Sequence, residues 1–116
     1  MIRKKYCVDG AWLESKTEKW IPVTDSSTGA VIAEVPSCTQ NEVLAAIDAA
    51  DRAFPAWSQM SLSKRTQLLF HWRNVLMEHL EELTLLCARE LGKTLNEARG
   101  DVLKAIEPTE LACATP

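Results

Sequence analysis

Between Ser61 and Leu91 the chain contains neither glycine nor proline, and its apolar residues recur at helical spacing through Leu68, Leu69, Trp72, Val75, Leu76 and Leu80. A breaker-free segment of about thirty residues exceeds most globular helices, and the apolar face drifts near Glu78 and His79. The spacing therefore predicts two helices, one capped by Ser61 or Ser63 and one running from about Leu80 to Leu91. Gly92 is placed to take the left-handed stop position, where the lack of a Cβ removes the steric penalty.

The flanking sequence is punctuated as clearly. Two short runs, residues 5–8 and 11–14, are joined by Asp9-Gly10, a dipeptide that tolerates the positive dihedrals of a tight hairpin. Trp20 to Val23 and Ala30 to Val35 form a second pair around the turn-rich stretch Asp25 to Gly29. The second of these strands is expected to be covered on both faces, and Pro36 ends it. From Thr39 the period changes from two to 3.6, and Thr39 with Glu42 has the form of a capping box. The first helix is expected to present Val43, Ile47, Ala50 and Phe54 on one stripe and to close at Pro55 after about Ala53. Thr94 and Glu97 open a fourth helix with Val102, Leu103 and Ile106 on its apolar side, and Pro108 predicts a kink or a fresh start between Glu107 and Thr109.

The order is thus antiparallel strands over about residues 5–35, then four helices over about residues 39–115, an α+β arrangement. With 116 residues and 47% hydrophobic content, a single core is the expectation. Thirteen Lys and Arg against sixteen Asp and Glu leave a net charge of -3, and the signs are interspersed, so no nucleic-acid partner is indicated. The stretch from Lys64-Arg65 to Arg73 interleaves basic and aromatic residues, but reads as a solvated helix face. No apolar run of about 18 residues occurs, which excludes a transmembrane helix. Cys7, Cys38, Cys87 and Cys113 lack the paired spacing of zinc or redox sites, and widely spaced thiols fit a reduced, cytoplasmic protein.

Catalytic patterns are absent from the residues taken alone. His71 and His79 lie two turns apart on a helical stretch, too far for joint ligation at one-turn spacing, and read as surface or capping groups. Glu81-Glu82 reads as the acidic first turn of a helix. Gly92-Lys93-Thr94 echoes the end of a phosphate loop, yet Cys87 stands where the earlier glycine belongs and a helix precedes the motif instead of a strand.

Four fragments in this order, Val8-Asp9-Gly10-Ala11-Trp12, Ser27 to Ile32, Ala49 to Trp57 and Glu90 to Asp101, resemble the opening of the aldehyde dehydrogenase superfamily. Ser15 to Val23 and Glu110 to Pro116 resemble its methylmalonate-semialdehyde branch in particular. The resemblance implies that residues 1–116 form the amino-terminal part of an α/β, Rossmann-like NAD-binding domain. It also implies an activity for the whole enzyme, oxidation of an aldehyde through a cysteine thiohemiacetal with NAD and, in this branch, coenzyme A as acyl acceptor. The family's nucleophile, general base, oxyanion-hole asparagine and dinucleotide loop fall beyond Pro116, so no catalytic or cofactor-binding residue is assigned, and the segment alone is expected to be inactive with no cofactor bound.

Two further carry-overs rest on the same resemblance. Thr24, through its backbone carbonyl, and Glu90 match positions that hold a monovalent cation in the family, although Asp25-Ser26 replaces the family's Asn-Pro. An exposed Glu90 at a helix end is the plainer alternative. Lys104 matches a position where this branch carries an arginine near the substrate carboxylate, and lysine keeps the charge while losing the two-pronged geometry. A solvent-facing lysine is the plainer reading there too. Expected partners are the rest of the enzyme or a second copy, within a homo-oligomer. The competing reading is a remnant or independent helical module that binds another protein through unpartnered apolar stripes.

Overall fold

A computed structural model describes residues 2–115. The elements are β1 (Tyr6–Val8), β2 (Ala11–Leu13), β3 (Trp20–Thr24), β4 (Val31–Pro36), α1 (Gln40–Gln59), α2 (Leu62–Glu78), α3 (Leu80–Leu91) and α4 (Leu95–Ala114). This is the α+β order anticipated above, with two antiparallel strand pairs followed by four helices. Instead of one core, the chain gathers into two compact units divided between Gln59 and Met60.

In the first unit β1 and β2 pair around Asp9 and Gly10, whose φ values of 53° and 73° are the double-positive pattern of a type I′ turn. β3 and β4 pair from Trp20↔Pro36 to Thr24↔Val31, with an irregularity between Val23 and Thr24. Residues 2–4 add a parallel bridge to the β3–β4 pair. The Lys4 amide donates to the Glu34 carbonyl at 2.8 Å and the Glu34 amide to the Ile2 carbonyl at 2.9 Å. Arg3 fixes this strap twice, lying 4.5 Å over the Trp20 ring and pairing with Glu34 at 3.2 Å. On β4, Ala33 is buried, Ile32, Glu34 and Val35 are half-buried, and Val31 is exposed, so cover on both faces is only partial.

Buried apolar residues in this unit are few and small, Ala33 and Ala49. The expected stripe of α1 is instead exposed, including Val43, Ile47 and Phe54, the last at 63%. The small side chains of Ala46, Ala49 and Ala53 line a shallow cleft of 270 Å³ with Cys7 and Val8. Amphipathicity locates an apolar face correctly, but whether something covers it is not a local property.

The second unit has a better core. α4 packs against both α2 and α3, burying Leu80, Thr84, Ala98, Ile106 at 3% exposure, and Cys113. The α2 face divides, Leu80 just beyond it being buried while Leu68 and Trp72 are exposed. Thr84 satisfies its buried hydroxyl by donating to the Leu80 carbonyl at 2.8 Å. Arg73 pairs with Glu110 at 2.8 Å, joining α2 to α4, and Arg99 pairs with Glu81 at 3.0 Å, joining α4 to α3. Among the described residues no helix is long and apolar enough to cross a membrane.

One expectation about proline is corrected and another narrowed, the fresh start at Pro108 being excluded and the kink being the alternative left. α1 does not close at Pro55 but continues to Gln59, and α4 passes Pro108 without a fresh start. The carbonyls that lose their helical donors belong to Asp51 and Lys104, and both residues are exposed, so water can serve them. The break between α2 and α3 falls at His79, as its sequence spacing indicates, and Ser61 caps α2 by accepting from the Lys64 amide.

Candidate functional site

One polar corner lies between α3 and α4. Gly92 ends α3 with φ 67°, and the Gly92 and Lys93 amides both donate to the Ala88 carbonyl, at 2.9 and 3.2 Å. Two residues later Thr94 caps α4. Its hydroxyl accepts from the Glu97 amide at 3.3 Å, while the Glu97 carboxylate accepts from the Thr94 amide at 3.2 Å and its hydroxyl at 2.8 Å. Lys93 Nζ donates to the Asp101 carboxylate.

This arrangement locks its charges. The hydrogen bond and charge of Asp101 raise the Lys93 pKa above its ordinary value, and the Thr94 side-chain and backbone donors lower that of Glu97. An ammonium held protonated is no nucleophile, and a carboxylate held ionised is a poor general acid. The corner fixes how one helix turns into the next. Sequence spacing identifies the Thr94–Glu97 box, but the Lys93–Asp101 pair is eight residues apart with Lys93 outside either helix, so no helical periodicity announces it.

Glu42 is the equivalent anchor in the first unit. Its carboxylate accepts from Ser15 Oγ at 2.7 Å, from the Lys16 amide at 2.8 Å and from the Thr39 amide at 2.8 Å, while the Glu42 amide donates to Thr39 Oγ1 at 3.3 Å. The Lys16, Ser15 and Thr39 donors together bring its pKa down to about 2. Glu42 lines an open cleft of 420 Å³ with Tyr6, Lys16 and Asn41. Burial, and then the charge of Glu42, push the Tyr6 phenol up. Neither group is poised for proton transfer near neutral pH.

The residues singled out from the sequence stand as follows. Thr24 ends β3 at the irregularity and is exposed. The turn after it is closed by Asp25, whose carboxylate accepts from the Ser27 and Thr28 amides at 2.9 and 3.1 Å, forming an Asx turn. Glu90 lies exposed in the last turn of α3. Thr24 belongs to the first unit and Glu90 to the second. Lys104 is exposed on α4, one turn before Pro108. His79 is the junction residue between α2 and α3, where its backbone amide donates to the Val75 and Met77 carbonyls and its side chain makes no cap hydrogen bond, lying instead 3.0 Å from the Glu82 carboxylate. All four cysteines are free thiols, and among the described residues no group of three or more His, Cys, Asp or Glu could hold a metal ion.

Comparison with known proteins gives this scaffold its kin. The aldehyde dehydrogenase family profile matches residues 12–116. A malonate-semialdehyde dehydrogenase of Listeria monocytogenes is 42% identical over 116 residues, covering 99% of this chain and 24% of the relative. The acylating, mitochondrial methylmalonate-semialdehyde/malonate-semialdehyde dehydrogenase of Rattus norvegicus is 40% identical over 110 residues, covering 95% of this chain and 21% of that protein. In three dimensions the chain superimposes with a TM-score of 0.90 on an NADP-dependent enzyme of E. coli, at 35% identity over 97% of this chain and 24% of that one. A putative methylmalonate-semialdehyde dehydrogenase of Sinorhizobium meliloti, solved with NAD, shares the fold with a TM-score of 0.91 at 24% identity, over 97% of this chain and 23% of that one. The chain spans about a quarter of the length of the curated relatives it matches. It belongs to the aldehyde dehydrogenase family.

Proposed function

We propose that these residues are the amino-terminal part of the NAD-binding domain of a semialdehyde dehydrogenase, serving as scaffold and not as catalytic machinery. The observation that carries this reading is the 42% identity with a malonate-semialdehyde dehydrogenase across 99% of the chain. The whole enzyme would oxidise a small carboxylated aldehyde through a cysteine thiohemiacetal, with NAD taking the hydride and coenzyme A the acyl group. Within these residues the polar clusters around Glu42 and Lys93 hold fixed charges, which suits positioning and not proton transfer. Lys104 would contribute a positive charge toward the substrate carboxylate.

The exposed apolar residues of both units fit the same proposal. Phe54 at 63% exposure and Leu111 at 71% are surfaces that the rest of the enzyme, or a second copy, would cover in a homo-oligomer. Four unpaired thiols favour a reducing, cytoplasmic setting. The same exposed residues also favour a second reading, an independent helical module that recruits another protein. The coding sequence past codon 116 separates the two. An in-frame glycine-rich dinucleotide loop and a cysteine nucleophile are expected, and an intact stop codon with neither downstream would overturn the enzyme reading in favour of the module.

A further inference from the structure

We draw no further inference here: the strongest candidate, the exposed apolar side of α1 carrying Val43, Ile47 and Phe54, belongs to the reading already proposed, and nothing in the structure shows what covers it.

Discussion

Ser15 donates its hydroxyl proton to Glu42 across 27 residues of sequence, at 2.7 Å, and thereby ties the segment after β2 to the first turn of α1. Because Lys16 and Thr39 donate to the same carboxylate, protonation of Glu42 weakens all of these contacts together. The Glu42 pKa is depressed from 4.5 to about 2, so its contribution to stability is complete above the unfolded value and is lost as pH falls from 4.5 toward 2. Acid titration followed by circular dichroism should show this loss, and Glu42→Gln should flatten the response in that window. An unchanged acid limb in the variant would remove Glu42 from its anchoring role.

Burial separates the two units' responses to truncation. Ile106→Ala is expected to cost about 2–5 kcal/mol, since a buried side chain leaves a cavity, whereas Phe54→Ala should fall within about 0.5 kcal/mol, because Phe54 is 63% exposed. Urea unfolding of each variant of this chain reads the difference directly. Equal costs would mean that the α1 face is covered.

Pro108 lies inside a continuous α4. Replacing it with alanine restores an amide donor for the Lys104 carbonyl and removes the crowding of the ring, and the helix preference of alanine over proline sets a ceiling of roughly 3 kcal/mol on the gain. Because Lys104 is exposed and water can already serve its carbonyl, Pro108→Ala should raise stability by less than that ceiling, about 1–2 kcal/mol, measured as a shift in the urea midpoint. A loss of stability would show that the proline ring itself makes packing contacts that matter more.

These prolines mark what the sequence could and could not disclose. Asp9-Gly10, Gly92 and the Thr39–Glu42 and Thr94–Glu97 boxes are legible because each is a local requirement of dihedral angle or unpaired amide. Pro55 misleads because the cost of a helical proline depends in part on whether the orphaned carbonyl meets water, which exposure decides and spacing does not, and the same exposure lets α4 run on past Pro108. Arg3 with Trp20 and Lys93 with Asp101 join partners that no periodicity relates. The apolar stripe of α1 is legible as a stripe, while its lack of cover is visible only in three dimensions. Thr24, Glu90 and Lys104 are marked by family resemblance alone, and the role proposed for Lys104 depends on the whole enzyme.

Lys104 gives that dependence a kinetic form. On the proposed reading, Lys104→Met in the whole enzyme should lower kcat/KM for malonate semialdehyde by about 10- to 100-fold, the scale of one hydrogen bond to a charged group. The same variant should leave propanal oxidation nearly unchanged, since propanal has no carboxylate. Equal losses on both substrates would indicate a structural role for the side chain.

The central claim, that these residues scaffold a dehydrogenase whose chemistry resides elsewhere, is tested by incubating the purified 116-residue chain with malonate semialdehyde, NAD and coenzyme A and following NADH. The expected rate is that of a heat-killed control. Sustained NADH formation above that control, proportional to protein concentration, would contradict it.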